Sequence, residues 1–312
     1  EKPGTVMKKI AAMGESGSKG EFLACDENFT TESEVLDHLE KLTRIGSDVC
    51  GKMIQNGTAV TCEKQAAVGT YGADKDNNMI QILHEQVPQM SCMIIRVVDG
   101  KFYTCSVLRL ASTFVLLPAH YHQELLNAEK LYFVCPHKVV RVEYKPSNGT
   151  VCLVSRSQDL LVWDLGNDVP PSPDFLKHIP TEDDWNNFRK SSGVLGITSY
   201  SSSITVLISH VLENIELCSV DVDVPTGVYD MLESQHIITS GLRYRVHCMS
   251  GFCGAAILKA DSKSVRKLIG MHVAGQKLKG VGYAETLSLE PIVAAIHKIK
   301  PGALSKYVVS SQ

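Results

Sequence analysis

From residue 90 onward the apolar residues of this chain arrive in short runs separated by turn residues. That rhythm constrains the fold more than any other feature. MIIRVVDGKFYTCSVLRL reads as two strands about Asp99-Gly100, a dipeptide suited to a two-residue hairpin turn. TFVLLPAH, LYFVC, KVVRVEY, TVCLVS and DLLVWDL continue the series. After a loop-rich stretch over 166–193 that contains PPSP, a second series follows: SITVLISHVL, IELCSVDVDV, GLRYRVHCM, GAAILKA, KLIGMHVA and GVGYAETL. Many short strands at this spacing predict antiparallel barrels or sandwiches. The tail EPIVAAIHKIK has helical spacing and is expected to close the chain as a helix.

Residues 1–88 differ from this pattern. A Gly/Ser/Lys-rich leader is followed by a capping-box pair, Thr31 and Glu34. Val35, Leu36, Leu39, Leu42, Ile45, Val49 and Met53 then fall on one face of an amphipathic helix, and YGADKDNN over 71–78 reads as a loop. The expected division is therefore an N-terminal extension (1–88), a first β unit (89–180) and a second β unit with the closing helix (181–312). An apolar fraction of 44%, with 21% charged residues, fits a globular chain and excludes wholesale disorder. A net charge of −3 excludes a protein whose main work is coating nucleic acid. No apolar run approaches the ~20 residues of a membrane span, and the N-terminus lacks the layout of a signal peptide. The ten cysteines are scattered without repeated spacing, which predicts reduced thiols and a cytoplasmic setting.

One cysteine stands apart. Cys253 lies in SGFCGAAIL, between Gly251-Phe252 and Gly254, where glycines permit a tight turn with amides aimed at one point. A buried thiol beside a turn glycine is an equally available reading. A nucleophilic thiol needs a base, and FVLLPAHYH places His120 at the end of an apolar strand, with His122 as competitor. A third group must orient the imidazole. SRSQDLLVWDLG offers Asp159 before an apolar run and Asp164 after it, and the residues alone leave that choice open. The order His, Asp, Cys is that of chymotrypsin-like enzymes, whereas a papain-like site runs Cys then His. In GMHVAG, His272 is flanked by glycines that expose backbone. A neutral imidazole at the base of a pocket there can donate to a carboxamide oxygen, which would select glutamine, although a core histidine fits the segment equally.

Taken together, LPAH, DLLVWDL, SGFCGAAIL and GMHVAG resemble the 3C-type cysteine proteases of picorna-like viruses, over roughly residues 90 to 300. The long N-terminal extension looks most like the insect dicistrovirus or iflavirus branch. The resemblance implies a mainly β fold of two six-stranded, chymotrypsin-like antiparallel barrels. It also implies a cysteine endopeptidase that processes a viral polyprotein after glutamine, its own release included. His120 would be the general base, Asp159 the acid and Cys253 the nucleophile, with the amides of Gly251, Phe252 and Cys253 as oxyanion hole. His272 would read the glutamine side chain, held by Tyr244, nine residues before the cysteine. Val273, Ala274 and Gly275 would line the substrate. Where the family usually has threonine, five residues before the nucleophile, this chain has Cys248, a poorer hydrogen-bond partner.

A chain that begins at Glu1 without methionine and ends VVSSQ is what release from a precursor by cleavage after glutamine would leave. No cofactor and no metal is expected, and the chain is expected to be a monomer in the host-cell cytoplasm. Viral RNA is a further implied partner, through Phe188-Arg189-Lys190 between the barrels. Three other readings stand beside this one. They are a non-catalytic RNA-binding or scaffolding module on the same fold, a zinc site of His247, Cys248, Cys253 and His272, and a cellular serine-type hydrolase. The last is disfavoured by cysteine at the nucleophile position.

Overall fold

A computed structural model of the chain describes residues 21–24, 87–99, 101–135, 138–200, 205–221, 237–246, 253–260, 265–276 and 280–307. The amphipathic helix expected over 31–53 and the loop expected over 71–78 lie outside the described residues.

The first β unit is one antiparallel sheet. Its members are β1 (Glu21–Ala24), β2 (Ser91–Val98), β3 (Lys101–Ala111), β4 (Phe114–Leu117), β5 (Lys130–Cys135), β6 (Lys138–Val142), β7 (Val151–Leu153) and β8 (Leu161–Asp164). The order is β6-β5-β2-β3-β4-β8-β7, with β1 added to β3. Val98 pairs with Lys101, the register expected of the hairpin, and Asp99 has the positive φ (50°) that a tight hairpin turn requires. The second unit closes completely. Its strands β9 (Ser191–Tyr200), β10 (Thr205–Asp221), β11 (Ile237–Arg245), β12 (Ala256–Lys259), β13 (Leu268–Gln276) and β14 (Val281–Thr286) form a six-stranded barrel in the order β10-β11-β14-β13-β12-β9.

The mainly β, chymotrypsin-like two-barrel architecture is thus present, with one difference in closure. Among the described residues β6 and β7 do not pair with each other, and the first unit is an eight-stranded half-barrel. SITVLISHVL and IELCSVDVDV, expected as two strands, are one strand, β10. The chain stays extended because Asn214, an amide side chain that tolerates positive φ (54°), takes up a bulge between Glu213 and Glu216.

Two cores explain why FVLL and LVW are unbroken apolar runs rather than alternating ones. Val115, Leu117, Leu161 and Trp163 face the interior of the half-barrel. Leu116 and Val162, on the opposite face of the same strands, meet Val194, Leu258 and Met271 of the second barrel. Ile292, Val293 and Ile296 of the closing helix complete that cluster. Strands buried on both faces lose alternation. That helix (Leu289–Ile299) buries Leu289, Ile292, Val293, Ala295 and Ile296, the stripe expected from its sequence. No helix of the described residues is long and apolar enough to cross a membrane.

Candidate active site

The junction between the two units is where the singled-out residues meet. β4 ends at Leu117, opposite Leu161 of β8. Pro118 stops the strand, and Ala119–Tyr121 form a single 3-10 turn that carries His120. Pairing continues one step past the strands, since the Ala119 N–H donates to the Asp159 carbonyl (3.2 Å). This brings the Asp159 side chain under the histidine. One carboxylate oxygen accepts the His120 backbone N–H (2.8 Å), and the other lies 2.6 Å from Nδ1. Burial alone would lower the His120 pKa. The Asp159 charge and hydrogen bond, with the hydrogen bond and electrostatic interaction of Cys253, outweigh it and hold the imidazole well above its usual range.

Cys253 comes from the second barrel, on the turn before β12, and packs half-buried against the core of the first. Its Sγ donates to the Val273 carbonyl (3.3 Å), and its own carbonyl accepts from the Tyr121 hydroxyl (3.4 Å). The turn depends on Gly254, whose φ is +88° and whose N–H donates to the His272 carbonyl (2.8 Å). A Cβ there would stand 1.8 Å from the Ser106 carbonyl oxygen of β3. Only glycine lets the turn that carries Cys253 approach the first unit this closely. Gly254→Ala is expected to lose at least about 2 kcal/mol of stability and most thiol reactivity, from positive φ plus a backbone clash. Thermal melting and iodoacetamide alkylation of Cys253 check this, and an alanine variant with wild-type values in both would contradict it.

His272 lies on β13 and is buried, with Nδ1 2.5 Å from the Tyr244 hydroxyl of β11. Burial, reinforced by the charge of His120, pushes its pKa down to about 3, so the imidazole is neutral at physiological pH. Gly282 makes room for this pair: a Cβ there would lie 2.4 Å from the Tyr244 ring. Past Met271, β13 has β14 on one side only. Among the described residues no strand pairs with the other edge of Val273, Ala274 and Gly275.

The competitors lie elsewhere. His122 is buried toward the half-barrel core, its Nδ1 2.6 Å from the Tyr144 hydroxyl. Asp164 ends β8 opposite Phe114, about 16 Å of strand from Asp159 at ~3.3 Å per residue. There its carboxylate accepts from Thr113 Oγ1 (2.5 Å) and the Gly166 N–H (3.1 Å). Phe188 packs on Trp185, with ring centroids 5.1 Å apart, and Lys190 lies 3.7 Å from Glu216. Gly251, Phe252, His247 and Cys248 lie outside the described residues, and with them most of the oxyanion hole and the zinc alternative.

Sequence reasoning missed Tyr121, Ser106, Gly282 and Glu285. The last had a visible signal, an acid in phase with the apolar Val281 and Tyr283 of GVGYAET.

The profile of the Tungro spherical virus-type peptidase family matches residues 70–302. The genome polyprotein of rice tungro spherical virus (strain A) is 40% identical over 300 residues, 91% of this chain. The chain spans 9% of the length of that polyprotein. The replicase polyprotein of acute bee paralysis virus is 28% identical over 126 residues, 40% of this chain and 6% of its own length. Placement in the insect-virus branch is therefore not confirmed, since the plant-virus relative matches most of the chain and the bee-virus one less than half. Among solved structures, tobacco etch virus protease complexed with product is similar with a TM-score of 0.44 and 15% identity, over 64% of this chain and 73% of that one. The 3C protein of HRV-C has a TM-score of 0.42 and 14% identity, over 65% and 95%. With its profile match spanning most of the sequence, the chain belongs to the Tungro spherical virus-type peptidase family and is a 3C-type viral cysteine endopeptidase.

Proposed function

We propose that the chain processes a viral polyprotein in the host-cell cytoplasm, cutting after glutamine and releasing itself. The observation that carries this reading is the meeting of Asp159, His120 and Cys253 at the junction of the two units, beside a buried neutral histidine. The Cys253 thiolate would attack the carbonyl carbon after glutamine, forming the S–C bond while His120 keeps the thiol proton. Amides of residues 251–253 would bind the oxyanion. On collapse the C–N bond breaks and His120 gives its proton to the leaving amine. Water, deprotonated by His120, then hydrolyses the thioester and restores the thiol. Asp159 would hold the imidazole in the tautomer and orientation each step needs.

An edge of β13 that no described strand pairs supports an extended substrate paired through its main chain along Val273–Gly275. If the Tyr244 hydroxyl donates to Nδ1, the His272 proton sits on Nε2 and can donate to a carboxamide oxygen. Incubation of the purified chain with a random peptide library, followed by sequencing of the products, tests the selectivity. New C-termini ending in glutamine are expected. Products ending mainly in other residues would overturn the glutamine assignment, and RNA binding without cleavage would favour the non-catalytic module.

A further inference from the structure

Val281, Tyr283 and Glu285 share one face of β14, while Ala284 on the other face points into the barrel interior. Glu285 therefore stands on the outside of the closed barrel, where a carboxylate would ordinarily reach water. It is instead fully buried (0% exposed), and what covers it includes the loop of the first unit that carries Asp159. Glu285 Oε1 accepts the Asp159 backbone N–H at 2.9 Å. One residue earlier in the same loop, Gln158 Nε2 donates to the Thr286 carbonyl at 3.2 Å. Asp159 is thus held from both sides, with its carbonyl on the Ala119 amide of its own unit and its amide on a carboxylate of the other.

We propose that Glu285 is a positioning residue for catalysis. From the second barrel it fixes the backbone of Asp159, and so the carboxylate that orients and charges His120. The inference rests on the proposed roles of Asp159, His120 and Cys253. A buried carboxylate is costly to keep, and an apolar residue on this face would fill the space at less expense. What the carboxylate adds is directional. Its Oε1 accepts a backbone amide, and that amide belongs to the residue whose side chain lies 2.6 Å from Nδ1 of His120. Docking of the two units is thereby coupled to the basicity of the imidazole, and misplaced catalytic groups lose rate far more than they lose binding.

The test compares Glu285→Met, which keeps volume and removes the acceptor, with Glu285→Gln, which keeps an acceptor oxygen. Readouts are kcat and KM on a cleaved peptide and the protonation midpoint of the His120 ring by NMR. The NMR signal does not depend on turnover. For Glu285→Met, kcat is expected to fall on the order of 10- to 100-fold with KM within about twofold, and the His120 midpoint to move down. Glu285→Gln should keep kcat within about threefold of wild type. A folded Glu285→Met chain with wild-type kcat and His120 midpoint overturns the proposal. So does a Gln variant as impaired as the Met one.

If the Met variant does not fold, Gln158→Ala decides, because it loosens the same loop from β14 without leaving the Asp159 N–H unpaired. A lowered kcat with lowered midpoint supports the coupling, and unchanged values overturn it. Failure of the underlying triad would look different, since His120→Ala or Cys253→Ala would then retain cleavage.

Discussion

Cys253→Ala is expected to abolish peptide cleavage, with kcat falling by at least about 10⁴-fold, while the melting temperature stays near wild type. The two halves of that expectation have separate causes. The thiol is half-buried, and its hydrogen bonds are to the Val273 carbonyl and the His120 ring, so its removal leaves a small gap and unfolds nothing. The turn itself is held by other groups, namely the Gly254 N–H on the His272 carbonyl and the Tyr121 hydroxyl on the Cys253 carbonyl. Catalysis has no such redundancy. In the proposed mechanism no acyl-enzyme forms without the sulfur. His120→Ala should be nearly as inactive, because the proposed mechanism then lacks the group that takes the thiol proton and returns it to the leaving amine. Active-site titration with iodoacetamide separates the two variants: alanine at 253 removes the labelled thiol, and alanine at 120 keeps it but slows labelling near neutral pH. A Cys253→Ala chain that still cleaves would remove the nucleophile assignment.

How much of this was legible depended on whether a residue's signal was local. The strand series was readable because each run carries its own turn residues, and Asp99-Gly100 specified its hairpin to the residue. His120 was readable because a proline ends the strand before it. Asp159 and Asp164 were not separable in sequence, since both flank one apolar run. Only the register Leu117–Leu161 puts the first beneath His120 and leaves the second at the far end of β8. The bulge at Asn214 hid the continuity of β10, because it breaks the pairing rhythm without ending the strand. Glu285 was overlooked for a tertiary reason. An acid on the outer face of a strand reads as solvated until the other unit is placed over it. Ser106, Tyr121 and Gly282 likewise act through contacts with residues distant in sequence, and pattern alone carries no trace of those.

His272→Ala is expected to cut kcat/KM for glutamine substrates by about 10²-fold while leaving alkylation of Cys253 by iodoacetamide close to wild type. The magnitude follows from losing one donor to a buried carboxamide, roughly 3 kcal/mol at 1.4 kcal/mol per factor of ten. Preference for glutamine over leucine should shrink with it, because the pocket loses the hydrogen-bonding group that favours a carboxamide over an apolar side chain. Charge selectivity gives a sharper check. Burial holds the His272 pKa at about 3, far below the ordinary histidine value of ~6.5. The neutral form therefore persists throughout the range from pH 5 to 8, and discrimination of glutamine against glutamate should show no imidazole midpoint there, only the slope set by protonation of the substrate carboxyl (pKa ~4.3). An imidazole titrating normally would become cationic as pH fell and would begin to favour glutamate with a midpoint near 6.5. Competition between matched glutamine and glutamate peptides at several pH values distinguishes these outcomes. Tyr244→Phe should weaken the discrimination without reversing it, since the ring still fills the space above Gly282 but no longer fixes which nitrogen carries the proton. Glutamate acceptance that levels off below a midpoint near 6.5 in the wild-type chain, well above the ~4.3 of the substrate carboxyl, would show that His272 is not a neutral donor.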